Sequence, residues 1–199
     1  MTRTIAIAEE IKMRQLEREM KALVDEVYRG EDKVLVFGEG PRGARIMLIG
    51  EAPGEQEALQ GRPFVGRAGR NLDGFIEATG LDRRAMYVTN TVKFRPTRLS
   101  GAGRVVNRAP TQEEISLFLP FLKREITEVA PGIIVTLGNV PLRALMGPGA
   151  TVGDMHGSLC GLEGRRLFPM YHPAAVIYNP SLRAVYAADM AKLAEIIKK

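Results

Sequence analysis

The sequence predicts an α/β fold, a mostly parallel sheet covered by helices on both faces. Four short runs, 46–49, 86–89, 133–137 and 167–171, are apolar without a polar alternation, as strands buried on both faces are. Helical patterns separate them, and strands alternating with helices imply right-handed crossovers and parallel pairing. The length of 199 residues, with 45% hydrophobic and 26% charged residues, suits one ordinary core. A single domain over 1–199 is therefore expected, with residues 1–32 as a helical extension packed on it.

In chain order, residues 7–28 set Ile11, Leu16, Met20, Leu23, Val24 and Val27 among charges at near-helical spacing, an amphipathic helix that should pack on the body. A short apolar run, Val34 to Phe37, leads through the turn-prone segment 38–43 to the first core strand. Residues 67–79 read as a helix with Leu72, Phe75 and Ile76 inward. A second covers 111–129, opened by Thr111 with Glu114 three residues on as a capping box. Two more are expected over 138–146 and 182–197. Between them, residues 93–110 hold Lys93, Arg95, Arg98, Arg104 and Arg108 with interrupting prolines and glycines. No helix or core strand is expected there, and the arginines suit phosphate contacts.

Composition narrows the chemistry. One cysteine, Cys160, can form no internal disulfide and cannot alone hold zinc or an iron–sulfur cluster. The formal net charge of +5 and pI of about 9.5 suit a polyanionic partner. No window approaches a membrane span and no secretory pattern opens the chain, so a cytoplasmic protein without a membrane partner is expected. The loop at 50–54 offers neither a GxGxxG fingerprint nor a phosphate-loop lysine, which argues against a nucleotide-binding enzyme.

In an open parallel sheet, ligands bind outside the carboxyl ends of the strands. Polar clusters fall at those ends: Gly50-Glu51-Ala52-Pro53-Gly54, Asn90, and His172-Pro173. They should converge in space.

The segments GEAPGEQEALQGRPFVGRAG (50–69), YVTNTVKFRP (87–96), IIVTLGN (133–139) and YHPAAVIYNP (171–180) closely resemble the uracil-DNA glycosylase superfamily, in particular its family 4. The resemblance implies a three-layer α/β/α sandwich around a four-stranded parallel sheet. It also implies a DNA repair reaction in which an extruded nucleotide enters a pocket and its base departs as an anion, leaving an abasic site. Phe64 then corresponds to the aromatic that stacks on the base, with Ala52 and Pro53 on the tight loop against it. Asn90 would read uracil, since a carboxamide donates to O4 and accepts from N3–H. His172 would donate to O2 as negative charge collects there, for which neutral imidazole suffices.

Where the best-known branch of the superfamily has a water-positioning aspartate, this chain has Ala52, so water falls to Glu51 or Glu57. The loop 174–183, with Arg183, would press into the minor groove, its wedge being Val176, Ile177 or Tyr178. His156 matches no catalytic motif. Family 4 members hold a [4Fe–4S] cluster through four cysteines, whereas this chain has Phe94 after Lys93 and apolar Leu117 and Phe118 in the next helix. The expectation is a cofactor-free, metal-free monomer, the loop tethered by contacts of Phe94 with Leu117 or Phe118. Its partner is DNA carrying uracil or another deaminated base such as hypoxanthine or xanthine. A catalytically silent DNA-binding homologue is the alternative class.

Overall fold

The computed structural model describes residues 2–198, with side chains from residue 10 onward. Helix α1 (Thr2–Val27) precedes β1 (Ile46–Gly50), α2 (Glu55–Gln60) and α3 (Arg67–Ala78). Next come β2 (Tyr87–Asn90), the short pair β3 (Thr97–Leu99) and β4 (Val105–Asn107), α4 (Gln112–Val129), β5 (Ile133–Leu137) and α5 (Asn139–Met146). The chain closes with α6 (Val152–Met155), β6 (Cys160–Leu162), β7 (Arg165–Met170), α7 (Ala175–Tyr178) and α8 (Leu182–Lys198).

The sheet has the order β2-β1-β5-β7-β6. β2, β1, β5 and β7 pair in parallel, and β6 adds an antiparallel edge beside β7. The expected four-stranded sheet thus gains a fifth strand. Alternation of side chains along each strand supplies both core layers. Ile46 and Leu48 of β1 meet Leu72, Phe75 and Ile76 of α3 and Tyr186, Met190 and Leu193 of α8. Met47 and Ile49 meet Leu122, Ile126 and Val129 of α4, with Leu142 of α5. The result is the three-layer α/β/α sandwich.

The capping box at α4 forms as the sequence indicates: Glu114 N–H donates to Thr111 Oγ1 at 3.2 Å, and Thr111 N–H donates to Glu114 Oε2 at 2.7 Å. α1 packs Leu16, Met20 and Val24 into a third cluster with Val92, Phe94 and Phe118. Phe94 meets Phe118 edge-on at 5.7 Å and Tyr28 at 5.2 Å, which is the aromatic tether expected after Lys93. The run at 34–37 lies antiparallel along the open edge of β2, bridging at Leu35 to Phe94, with Glu39 paired to Val88. Residues 93–110 are more ordered than expected. They fold into the β3–β4 hairpin, which stands outside the core.

Candidate active site

The parallel register pairs Gly50 with Asn90, so the carboxyl ends of β1 and β2 are level. Beyond them and the end of β7 lies a cavity of about 290 Å³, lined by Ala52, Gly54, Glu57, Phe64, Asn90, Asn107, His172 and Tyr178, among others. It is the size of a small-ligand pocket. The three polar clusters at the strand ends do converge.

The loop between α2 and α3 is shaped by Phe64, which adopts φ 54°, a left-handed backbone rare for an aromatic residue. Gly69 makes this possible, because a Cβ there would collide with the Phe64 carbonyl. Gly50 has the complementary duty. A Cβ on it would stand 2.5 Å from Phe64 Cζ and closer still to Asn90 Oδ1, so the missing side chain leaves the floor of the cavity open. Asn90 is buried, and its backbone carbonyl accepts from Lys93 Nζ at 2.7 Å while its carboxamide faces the cavity.

His172 follows β7. Its Nδ1 accepts from Ala174 N–H at 3.2 Å, which puts the ring proton on Nε2. Burial pushes its pKa down to about 4, against a smaller opposing pull from Glu57, so the ring is neutral at physiological pH. The Phe64 and His172 rings lie 6.1 Å apart on the cavity wall. Cavity and site therefore present an aromatic face, a carboxamide and a neutral imidazole donor.

The two glutamates separate. Glu57 lines the cavity but braces it: Oε2 accepts from Gly54 N–H at 3.1 Å and Oε1 from Gly66 N–H at 2.7 Å, fastening the loop after β1 to the start of α3. Glu51 is half-buried, and desolvation raises its carboxyl above the ordinary range. Pro53 is buried beneath the same loop, with Ala52 on the cavity wall.

The basic residues also separate. Lys93, expected at phosphates, is fully buried; its ammonium donates to Glu125 Oε2 at 2.6 Å, Thr89 Oγ1 at 2.5 Å and the Asn90 carbonyl. It is removed from the DNA-facing set, because a buried carboxylate on α4 draws it inward. Arg108 forks onto Glu114 at 2.6 Å per arm, and Arg95 bridges Glu55 at 3.3 Å and donates from Nε to Asn107 Oδ1 at 2.7 Å. Arg98, Arg104 and Arg183 are exposed. Sequence reasoning missed Asn107. It reaches the cavity rim on β4, its carboxamide oxygen held by Arg95, and the β-branched pair Val105-Val106 after a glycine-rich turn was the available signal of a strand there. His156 sits elsewhere, 2.7 Å from Asp189 through Nδ1.

With this geometry in place, comparison with known proteins is decisive. Residues 37–195 match the model of the uracil DNA glycosylase superfamily. The chain belongs to the uracil-DNA glycosylase superfamily. A type-4 uracil-DNA glycosylase of Sulfurisphaera tokodaii is 39% identical over 81% of this chain and 74% of its own length. One from Archaeoglobus fulgidus is 36% identical over 82% of each. The crystal structure of wild-type Pedobacter heparinus SMUG2 superposes with a TM-score of 0.53, covering 91% of this chain and 83% of that one at 14% identity, a likeness of fold.

These relatives correct the cofactor expectation. Type-4 uracil-DNA glycosylases are a class that binds an iron–sulfur cluster, so a cofactor-free chain is not what its relatives indicate. The residues present do not fit such a cluster. Its iron takes four thiolates, the chain has one cysteine, and among the described residues no three His, Cys, Asp or Glu are grouped to hold a metal. No step of the chemistry is routed through one. Among the described residues no helix is long and apolar enough to cross a membrane.

Proposed function

We infer that this superfamily member is a uracil-DNA glycosylase, a family 4-like hydrolase of the N-glycosidic bond of uracil in DNA. The observation that carries the reading is the convergence of Phe64, Asn90 and His172 on one cavity, with the His172 proton fixed on Nε2. An extruded nucleotide enters with its base against Phe64, where stacking holds it without naming it. Asn90 names it by donating to O4 and accepting from N3–H.

As the C1′–N1 bond breaks, its electron pair moves onto the base, and Nε2–H of His172 donates to O2 where that charge collects. Neutral imidazole keeps the donated proton, so the base leaves as an anion. Glu51, a carboxylate desolvated beside the strand end, faces the growing positive charge on the sugar and takes a proton from the water whose oxygen bonds to C1′. Glu57 is a positioning residue. Tyr178, 85% exposed on the rim, is the wedge into the minor groove, since Val176 is buried and Ile177 is half-buried on the wall between two cavities. Arg98, Arg104 and Arg183 take phosphates. The working form is a single-domain monomer acting in the cytoplasm.

The test is cleavage of labelled oligonucleotides holding one uracil opposite guanine, opposite adenine or unpaired, with hypoxanthine and xanthine duplexes alongside. Abasic product on the uracil strands, lost in Asn90→Ala, is expected; product from purine lesions alone would reassign the substrate, and none from any strand would remove the activity. The pH profile adds a sharper check. His172, already neutral above about 4, contributes no step near an ordinary histidine value. The rate should instead fall in acid as the raised Glu51 carboxyl takes its proton, a limb above the usual carboxylate range that Glu51→Gln abolishes. An acid limb unchanged in Glu51→Gln would take the water from Glu51.

A further inference from the structure

Beside the base cavity, and sharing Arg67 and Ile177 with it, lies a second cavity of about 390 Å³ whose walls carry Arg67, Arg70 and Arg183. Four other arginines around the site are paired, Arg62 with Glu39, Arg83 with Asp73, Arg95 with Glu55 and Arg108 with Glu114, whereas Arg98 and Arg104 stand exposed on the β3–β4 hairpin. Among the described residues, the three of this cavity have no carboxylate partner. Arg70 reaches only the Val65 carbonyl at 3.3 Å, and the Arg183 guanidinium stacks over the Phe75 ring at 5.6 Å, which restricts its rotamers without consuming its N–H donors. Arg67 is the first residue of α3, whose N-cap Gly66 already meets the Glu57 carboxylate, so the anion site rests on the guanidiniums and not on the helix end. Asn71 Nδ2 donates to the Pro173 carbonyl at 2.8 Å, fixing this wall to the histidine loop.

Three arginines without a carboxylate partner on the walls of one cavity form a site for an oxyanion with several acceptor oxygens. We propose that Arg67, Arg70 and Arg183 clamp a phosphodiester of the strand that carries the extruded nucleotide, one step from its sugar. The shared wall assigns the strand: the extruded nucleotide keeps its own backbone, and Arg67 and Ile177 make the anion cavity the direct neighbour of the cavity that takes its base, whereas the opposing strand lies across the groove. Binding energy placed there holds the extruded state, and it is available on single-stranded DNA as fully as on a duplex. The proposal rests on the glycosylase reading for the register of the strand, not for the presence of the anion site.

The experiment measures binding of an oligonucleotide with one tetrahydrofuran abasic analogue, alone and as a duplex, across a salt series. The wild type is compared with a variant carrying Arg67→Gln, Arg70→Gln and Arg183→Gln, and with the single substitutions at exposed Arg67 and Arg70 in case the triple variant is poorly folded. The slope of log affinity against log salt should flatten by about 0.9 on the duplex and about 0.7 on the single strand in the triple variant, the loss of one phosphate contact, and by part of that in each single one. Unchanged slopes would overturn the clamp, and a slope altered only on the duplex would overturn its assignment to the lesion strand. Wild-type cleavage of uracil strands is read separately, so flattened slopes beside an inactive wild type would keep the anion site and sink the glycosylase reading.

Discussion

Gly50→Ala should cost at least about 10²-fold in uracil cleavage, because displacements of roughly 1 Å at reacting groups already cost that much. The added methyl carbon would lie 2.5 Å from Phe64 Cζ and nearer to the Asn90 carboxamide oxygen, inside the volume the base must occupy. Neither neighbour can retreat freely. Phe64 is locked at φ 54° by its contact with Gly69, and Asn90 is the last residue of a buried strand. The fold should survive, since overpacking one methyl costs about 1 to 3 kcal/mol. Single-turnover cleavage and thermal unfolding check both halves together. A cleavage rate close to wild type in a folded Gly50→Ala protein would mean that the base does not bind against Phe64 and Asn90.

That glycine illustrates which features of this chain could be read in advance. The core strands were legible because β1, β2 and β5 are buried along their whole length and read as near-continuous apolar runs, interrupted only by the buried Thr89, Asn90 and Thr136. The convergence of the 50–54 loop, through Ala52 and Gly54, with Asn90 and His172 was legible from the same pattern, since parallel strands carry their carboxyl ends to one edge. β6 was not, because Cys160-Gly161-Leu162 is too short to show a period; the turn Glu163-Gly164, with φ of 48° and 79°, was the overlooked sign of a hairpin to β7. The arginines of 93–110 were legible as charges but not as partners. Whether a guanidinium meets phosphate or a carboxylate is decided by chain segments that only folding brings near, as Glu55 is brought to Arg95.

Lys93 was the hardest of these to place, and it supports the other large prediction. Its partner Glu125 lies 32 residues on, in a helix whose buried stripe is Phe118, Leu122, Glu125, Ile126 and Val129; a carboxylate in that stripe was the one available hint. The pair is closed by further donors, with Tyr87 Oη at 3.0 Å and Thr89 Oγ1 at 3.1 Å from Glu125 Oε1. Lys93→Met leaves that carboxylate buried with hydroxyl donors alone, and breaking a buried pair in this way costs about 3 to 5 kcal/mol. The expected result is a large fall in the urea midpoint with the denaturant slope unchanged. The double variant Lys93→Met, Glu125→Gln should recover much of the loss, because two neutral groups of similar volume remove the uncompensated charge. Stability and activity should then part. Lys93 Nζ also holds the Asn90 carbonyl at 2.7 Å, so the double variant, though folded, should still cleave uracil more slowly than wild type through a lower kcat. If the double variant is as unstable as Lys93→Met, the loss belongs to packing rather than to charge. If it cleaves at the wild-type rate, the ammonium does not position Asn90.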